Sequence, residues 1–419
     1  MAAKKSNQCK NMKNSTMNKT IQKAWIGLFI AAIGLPLVGS VLKWDNSSES
    51  SIIISENRLA AKLSSFQWNL QYFDQFPANF ESYYNDFFGF RESLITVNNF
   101  IQVKAFGNSP SKLVILGKHP WLFFNEEGYE LSEPFKEKEL IEIKRRLKER
   151  KKWLDSLGIQ YLFFVAPNKG SIYSEYLPEA IKHRSSYSNS NLKQLTDYFK
   201  KNSDVEIIDV RSQIYSLKRD YPLYEETDTH WNQLGAFYAY QQVMQQVVKR
   251  FPMVKPLTLL DFRIRSVKEN GGDLAQVLKL KTSLYRQTSI KLERVSPSKT
   301  TNFSILKERR VGEKVALPDA NPPFFNRGTA LIAHAKNQKL PKVLIFGDSF
   351  AATHFKDLVK ENFRETVAVA QTVLDVELIE QERPDVVIHE VVERSLIGPT
   401  PMGFFNSADL KNRPVPTRR

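Results

Sequence analysis

The order of apolar and polar residues predicts that strands and helices alternate through most of the chain. Short apolar runs rich in β-branched and aromatic residues predict strands at Lys118–Phe124, Ile159–Pro167, Val205–Val210, Lys342–Phe346, Thr366–Ala370 and Asp385–Val392. Amphipathic stretches predict helices at Glu137–Gly158, Ser190–Asn202, Asn232–Phe251, Phe350–Asn362 and Val376–Glu382. This alternation is typical of an α/β fold, with a parallel sheet and helices on both faces.

Two other stretches have different patterns. Between Glu56 and Phe106 the chain is predicted to be helical, and we expect its aromatic stripe to face a core. The stripe repeats at spacings of three and four residues and consists of Phe76, Phe80, Tyr83, Tyr84 and Phe87. Between Pro252 and Pro341 we expect about 90 residues of irregular chain, which would form a lid or the rim of a polymer-binding surface.

The N-terminal residues predict a membrane anchor. The segment Ala24–Leu42 has 19 residues and no charge, close to the length that a helix needs to cross a bilayer. Six lysines and no acidic residue precede it, so we expect the N-terminus in the cytoplasm and the remaining chain outside. The letters "LPLVGS" resemble a weak cleavage site, which leaves a cleaved signal peptide as the alternative. We divide the chain into a basic tail (1–23), a transmembrane anchor (24–42), a linker with a helical segment (43–107) and an α/β domain (108–419).

Charge and cysteine content narrow the possible functions. The formal net charge is +15, of which +9 remains once the six N-terminal lysines are set aside. A basic exported domain favours anionic headgroups or an acidic polymer, but the clustering of basic and aromatic residues that indicates a nucleic-acid partner is missing from the sequence. Cys9 is the only cysteine, so we expect no internal disulfide, no cysteine-based zinc site and no cysteine nucleophile.

The motif "KVLIFGDSFA" supplies a candidate nucleophile. A buried strand ends at Gly347, and Ser349 follows at its carboxyl end, near the start of a helix. Ligands of open α/β sheets bind at that end, and backbone N–H groups of Ser349 and the next residues can stabilise an oxyanion there. The alternative is that Asp348 or Ser349 only caps the helix.

The motif "EETDTHWNQLGA" supplies a candidate base. Asp228 and His230 are two residues apart, so in an extended chain both side chains point to the same side. A carboxylate beside a histidine fixes the imidazole tautomer, and a serine needs such a base to become nucleophilic. The alternative is a helix cap next to an ordinary surface histidine. The other five histidines have no carboxylate two residues before them: His119, His183, His334, His354 and His389. We expect His354 to point away from the strand end and His389 to lie in the core.

The sequence contains eight notable blocks: "DTHW", "FGDSF", "ENRLA", "DFFGFRESLI", "WLFF", "APNKGSIYSEYLP", "GGDLA" and "EVVERSL". Together they resemble the alginate O-acetyltransferase family, with its periplasmic J and X subunits. The resemblance covers nearly all of the chain after the anchor. It implies an SGNH-hydrolase-like catalytic domain at 108–419 with the triad Ser349, His230 and Asp228. The D-x-H block precedes the serine, as in that family and unlike ordinary SGNH esterases. A counterpart of the carbohydrate-binding module of the X subunit is not evident, so the resemblance is to the J type.

The resemblance implies that the protein transfers acetyl groups to hydroxyls of an exported or cell-surface polysaccharide. It implies no metal or diffusible cofactor, and it implies a membrane-bound O-acyltransferase partner as the acetyl donor. Two alternatives stay open: a polysaccharide acetyl esterase with the same triad, and a non-catalytic assembly subunit. Among the other residues, we expect a buried ion pair among Glu390, Glu393 and Arg394, while Asn168 and Lys169 line the pocket or stabilise a loop.

Overall fold

The computed structural model describes residues 21–36, 38–40, 42, 44, 59–63, 65–125, 134–182, 190–310 and 329–396. The chain divides into two compact units, Met1–Phe106 and Gly107–Arg419. The basic tail, most of the predicted linker, His183 and the residues after Leu396 lie outside the described residues, so the predictions made for them stay predictions.

The described part of the first unit contains three helices: α1 (Ile21–Ser40), α2 (Leu70–Phe87) and α3 (Arg91–Phe106). Among the described residues, α1 alone is long and apolar enough to cross a membrane, and it overlaps the predicted anchor. A helix of this kind so near the N-terminus serves either as an anchor or as a signal sequence. The prediction that the aromatic stripe of α2 faces a core is wrong, because the one buried residue of α2 is Asp86.

The second unit contains eleven described strands and nine described α-helices. The strands are β1 (Val114–Leu116), β2 (Leu122–Phe124), β3 (Gln160–Ala166), β4 (Ile207–Asp209), β5 (Phe262–Asn270), β6 (Arg286–Arg294), β7 (Ser304–Arg310), β8 (Thr329–His334), β9 (Lys342–Gly347), β10 (Glu365–Ala370) and β11 (Val386–Val392). The α-helices are α4 (Glu137–Ser156), α5 (Lys169–Ile172), α6 (Glu179–Lys182), α7 (Asn191–Asn202), α8 (Arg211–Leu217), α9 (Gln233–Arg250), α10 (Asp273–Val277), α11 (Lys356–Val359) and α12 (Val376–Glu382). One π-helical segment spans Ala351–Phe355, directly before α11.

Seven strands form one mixed sheet in the order β4-β3-β11-β9-β10-β8-β7. The first five run parallel to one another, whereas β8 pairs antiparallel with β10 and β7 pairs antiparallel with β8. The α/β class and the parallel centre of the sheet are therefore confirmed, with two antiparallel strands added at one edge. Because β9 lies inside the sheet, its carboxyl end is flanked by strands on both sides, at the place where α/β proteins build their sites.

Side chains that alternate along each central strand pack into two hydrophobic cores, one on each face of the sheet. On β3, Phe163 packs with α4, α7 and α12, while its neighbour Phe164 packs with α9 and the helix after β9. Such strands are covered on both faces, which explains why they read as continuous apolar runs in the sequence.

The expectation of an irregular stretch from Pro252 to Pro341 is wrong. It contains β5 to β8 and helix α10 among its described residues. Strands β5 and β6 form a separate two-stranded antiparallel sheet. Most of β5 is exposed and carries polar side chains, so its sequence lacks the apolar run by which a buried strand is recognised.

Helix α9 is packed so closely against the preceding loop that one position requires glycine. A Cβ atom on Gly235 would lie 2.1 Å from the carbonyl oxygen of Leu223. That same oxygen accepts the Asn232 N–H at 3.0 Å, and the Asn232 side chain caps α9 through Leu234 N–H and Gly235 N–H. Gly235 therefore fixes the loop from Leu223 to Asn232 against the helix.

We expect Gly235→Ala to lower the free energy of unfolding by about 1–3 kcal/mol, because backbone has to move to admit the methyl group. The measurement is urea denaturation of the full chain in detergent, followed by tryptophan fluorescence. Gln245→Ala, at an exposed position of the same helix, is the control and should change stability by less than about 0.5 kcal/mol. Equal midpoints for the two variants would contradict the close-packing argument.

Candidate active site

Ser349 lies where the chain leaves β9, two residues after the strand ends at Gly347. A Cβ atom on Gly347 would lie 2.5 Å from Cβ of Ala351 and 2.7 Å from Oε2 of Glu390, so only glycine fits this turn. Ser349 itself is half-buried, and the chain continues directly into the helical segment that contains Phe350. Ser349 therefore lies at the carboxyl end of a strand, as the sequence predicts.

Asp348 shapes the turn, as the sequence suggested. Its Oδ1 accepts the Phe350 N–H at 2.9 Å, and its Oδ2 accepts the Val392 N–H at 2.8 Å. The carboxylate thus joins the end of β9 to the end of β11. The Phe350 N–H is engaged by Asp348 and is not available to an oxyanion, and a role of the Ser349 N–H in binding an oxyanion stays a prediction.

Glu390, on β11, is fully buried and supports the same turn. Its Oε2 accepts the Asp348 N–H at 3.0 Å. Burial, together with the nearby charge of Asp348, raises the pKa of Glu390 well above its usual value. A neutral carboxyl group beside Asp348 avoids placing two negative charges together in the protein interior.

Asp228 and His230 form a hydrogen-bonded pair in the loop before α9. His230 Nδ1 lies 2.7 Å from Asp228 Oδ1, which also accepts the His230 backbone N–H at 3.0 Å. Burial lowers the pKa of His230, but the hydrogen bond and charge of Asp228, aided by Asp273, outweigh it and leave the pKa raised. Burial in turn raises the pKa of Asp228, yet the hydrogen bond and charge of His230 bring it well below its ordinary value.

This pairing leaves Nε2 of His230 as the atom that can accept a proton. Nδ1 is held by a carboxylate, so the proton of the neutral ring belongs on Nδ1. Nε2 is buried and has no hydrogen-bond partner among the described residues. The His230 ring packs on Phe350, with the ring centroids 5.0 Å apart, so the residue next to Ser349 contacts the histidine. Since Ser349 is one of those described residues, its Oγ makes no hydrogen bond to Nε2 in this structure, and proton transfer between the two atoms stays a prediction.

Lys169 stabilises the loop that carries Asp228. Its Nζ donates hydrogen bonds to the carbonyl oxygens of Asp228 at 2.7 Å, Glu225 at 3.1 Å and Glu226 at 3.2 Å. Burial lowers the pKa of Lys169 to about 8, although the surrounding carboxylates oppose that shift. Of the two roles open to Lys169 from the sequence, these contacts identify loop stabilisation.

Asp273 is the residue of this site that the sequence did not single out. Its Oδ1 accepts the Thr229 N–H at 2.7 Å, its own N–H donates to Asp228 Oδ2 at 2.8 Å, and its Oδ2 lies 3.7 Å from His230 Nδ1. Burial and the charge of Asp228 raise the pKa of Asp273 to about 6. The preceding Gly272 packs against Asp228, where a Cβ atom would lie 2.4 Å from that of the aspartate. The "GGDLA" block contained the signal, but nothing local linked it to a loop 45 residues earlier.

Ligand atoms of Asp228, His230 and Asp273 lie within 4.8 Å of one another, a grouping that could also hold a metal ion. A metal on Nδ1 would have to displace the 2.7 Å hydrogen bond to Asp228. The arrangement holds a proton between histidine and carboxylate, and we assign no metal to it.

The remaining candidates occupy supporting positions. His389 is buried in β11, as expected, and its ring contacts the Tyr161 hydroxyl at 2.8 Å and the Thr372 carbonyl oxygen at 2.7 Å. The predicted ion pair is not the main contact of Glu393. Its Oε2 instead accepts the Asn168 N–H at 2.9 Å. The Arg394 guanidinium lies over the rings of Phe124 and Phe350, at 5.4 and 5.5 Å.

The expected orientation of His354 assumed an α-helix, and the structure has a π-helix there. In a π-helix the hydrogen bonds close between residues five apart, so His354 need not lie opposite Ser349. Burial lowers the pKa of His354 to about 4. The positive charge of His230 lowers this pKa further, whereas the negative charge of Asp228 opposes the shift.

Comparison with known proteins identifies the family. The family model described as "SGNH hydrolase-like domain, acetyltransferase AlgX" matches residues 114–393, more than half of the chain. None of the curated proteins searched matches the chain.

Similar solved structures include PatB1 of Bacillus cereus, with 19% identity over 70% of this chain and 98% of that chain and a TM-score of 0.49. The O-acetyltransferase domain of Pseudomonas putida AlgJ has 18% identity over 71% of this chain and 96% of that chain, with a TM-score of 0.46. Pseudomonas aeruginosa AlgX has 17% identity over 67% of this chain and 61% of that chain, with a TM-score of 0.42. On the strength of the family model, the chain belongs to the SGNH hydrolase-like AlgX acetyltransferase family.

Proposed function

We propose that this protein transfers acetyl groups to hydroxyls of an exported or cell-surface polysaccharide through an acyl-enzyme on Ser349. One observation carries the proposal. His230 is held by Asp228 on Nδ1, keeps a buried Nε2 without a partner among the described residues, and packs on the residue next to Ser349. A base prepared in this way, in contact with the residue that follows a serine at a strand end, suits nucleophilic acyl transfer.

In the first step His230 Nε2 accepts the proton of Ser349 Oγ as Oγ bonds to the carbonyl carbon of the acetyl donor. The carbonyl oxygen becomes negative, and in this scheme the N–H of Ser349 donates a hydrogen bond that stabilises it. The bond to the leaving group then breaks, and the proton on Nε2 passes to that group. Asp228 stabilises the charged imidazole throughout.

In the second step a sugar hydroxyl attacks the acetyl-serine. His230 Nε2 takes the hydroxyl proton, the new ester bond forms on the sugar, and the proton returns to Ser349 Oγ as the acyl-enzyme bond breaks. The free enzyme is restored, and no metal or diffusible cofactor takes part in this scheme.

The cellular arrangement follows from α1. With the lysine-rich tail in the cytoplasm, α1 would span the cytoplasmic membrane as a single anchor and the second unit would face outside. A membrane-bound O-acyltransferase would then supply the acetyl group, because the donor has to be carried across the membrane. The basic body of the chain, at +9, suits an acidic polymer as acceptor.

We expect Ser349→Ala to abolish formation of the acyl-enzyme, because the variant has no oxygen to accept the acetyl group. The measurement is intact-protein mass after incubation with p-nitrophenyl acetate and an acid quench. The native protein should gain the mass of one acetyl group, and the variant should gain none. His230→Ala should slow acylation by about 10³-fold or more, since the members of a triad act as a unit.

Ser216→Ala removes an exposed hydroxyl from α8 and is the matched control. It should acylate like the native protein. Normal acylation of a well-folded Ser349→Ala variant would refute the nucleophile and leave an assembly subunit as the better interpretation.

The distinction between transferase and esterase lies in the second step. With p-nitrophenyl acetate as donor and an acidic oligosaccharide as acceptor, we expect acetylated oligosaccharide to form in proportion to acceptor concentration. An esterase would release acetate at a rate that the oligosaccharide does not change. Mass spectrometry of the sugar and quantitation of free acetate separate the two, and acetate alone would favour the esterase.

We expect the acidic limb of the pH–activity profile to lie above pH 6.5, because His230 has to be neutral to accept a proton and its pKa is raised from 6.5. Asp273→Asn removes a charge that contributes to this shift, so the limb should move to lower pH, with a modest loss of rate. Asp228→Asn should move the limb in the same direction and reduce the rate far more, by up to about 10⁴-fold, because the tautomer is then no longer fixed.

The assay is the pH dependence of the acylation rate. Asp197→Asn, on α7 at the opposite face of the sheet, is the charge-matched control and should leave the limb in place. A limb that stays unmoved in both Asp228→Asn and Asp273→Asn would show that a group other than His230 governs the profile.

A further inference from the structure

Helix α2 carries an apolar face that the described chain leaves uncovered. At about 100° per residue, its seven aromatic rings, Leu70 and Pro77 all fall within one arc of about 160°. The three carboxylates, Asp74, Glu81 and Asp86, and every amide side chain of the helix fall on the opposite side. Such a strict division is typical of a helix that meets an apolar phase on one side and water on the other.

The exposure of this face is large for a water-soluble surface. Leu70 is 90% exposed, and Phe73 and Phe80 are each 47% exposed. Just before the helix, Trp68 is 85% exposed and Phe66 is 63% exposed. A contiguous apolar surface of this kind marks an interaction site.

The rings are arranged in an ordered row, which we term the aromatic ladder: Tyr72, Phe76, Phe80, Tyr84 and Phe88. Successive ring centroids are 5.5, 5.8, 6.2 and 6.0 Å apart. The middle two steps are stacked, with interplanar angles of 26° and 18°. At 1.5 Å per residue the ladder is about 24 Å long, so it is an extended and ordered surface.

The end of the ladder is joined to the end of α1. Gly89, the next residue, donates its N–H to the Ser40 hydroxyl at 2.8 Å and to the Pro36 carbonyl oxygen at 3.2 Å. The backbone approach is close, since a Cβ atom on Gly89 would lie 2.5 Å from the carbonyl carbon of Gly39. The rings of Phe90 and Trp44 also meet, with centroids 6.1 Å apart. The Phe88 end of the ladder therefore lies next to the C-terminal end of α1.

We propose that the aromatic ladder lies in the interfacial layer of the bilayer that α1 spans, between the headgroups and the upper acyl chains. The inference rests on the proposed role of α1 as an anchor and adds a second point of membrane contact. Tyrosine, tryptophan and phenylalanine on one face and carboxylates on the other match an interfacial helix.

The charged residues of α2 indicate which lipids the ladder would bind. Helix α2 contains no lysine or arginine, so it has nothing with which to attract anionic headgroups. The ladder should therefore bind through its apolar area, in zwitterionic lipid and with little dependence on salt. Asp74 and Glu81 should remain in water, while Asp86 is buried and accepts the Ala61 N–H at 2.7 Å.

The test places a fluorescent probe at defined positions of the full chain in phosphatidylcholine vesicles. In a Cys9→Ser background, single cysteines are introduced by Phe80→Cys on the ladder, Glu81→Cys on the polar side and Leu28→Cys within α1, and each is labelled with an environment-sensitive dye. Lipids brominated at shallow or deep acyl positions report the depth of the probe. Phe76→Cys provides a second ladder position in case the first variant fails to fold.

We expect shallow bromines to quench the probe on the ladder several-fold more strongly than the probe at position 81, with a blue-shifted emission that salt does not change. Deep bromines should quench the probe at position 28. If position 28 is quenched and both ladder probes behave like position 81, the ladder proposal is overturned and the anchor stands. If position 28 is not quenched, the anchor fails and the ladder proposal with it. A blue-shifted ladder probe that no brominated lipid quenches would show that protein covers this face, which also overturns the proposal.

Discussion

The hydrogen bond between Asp228 and His230 is the interaction on which the site depends. It joins a carboxylate and an imidazole that burial would otherwise drive toward their neutral forms, and each raises the stability of the charged form of the other. One residue, Thr229, separates them in the chain, so the pair is set by local geometry. What surrounds the pair is not local: Lys169 binds the loop from the end of β3, and Asp273 binds it from the start of α10. The distant contacts hold a short-range motif in one conformation.

The turn that carries Ser349 is likewise held by contacts between residues that are distant in sequence. Asp348 bridges the ends of β9 and β11 through two backbone N–H groups, and a buried, neutral Glu390 accepts the Asp348 N–H. Because the Phe350 N–H is engaged in this way, our proposal assigns stabilisation of a developing negative charge to the Ser349 N–H. Support from adjacent parallel strands holds the turn that carries the half-buried Ser349 in one conformation.

Aromatic residues have two separate uses in this chain. In the second unit most of them are buried, and Phe350 stands between Trp231 and His230 with ring centroids 5.0 Å from each. In the first unit a smaller set of rings is held in a row on the surface of α2, where the described protein offers no core for them. The same residue types thus line the proposed active site in one unit and, by our inference, form a lipid contact in the other.

The sequence by itself determined the helices and strands whose apolar residues repeat with a clear period. It predicted Val376–Glu382 as a helix to the residue and Lys342–Phe346 within one residue, because one face of a helix or both faces of a buried strand leave a visible pattern. Only the tertiary structure decided the rest. The exposed strand β5 has no apolar run, the π-helix at Ala351–Phe355 looks like any helix in sequence, and the aromatic stripe of α2 has the same period whether it meets a core or not. Asp273 and Lys169 join the site through contacts across 45 and 59 residues, and a pattern of neighbours along the chain carries no information about such contacts.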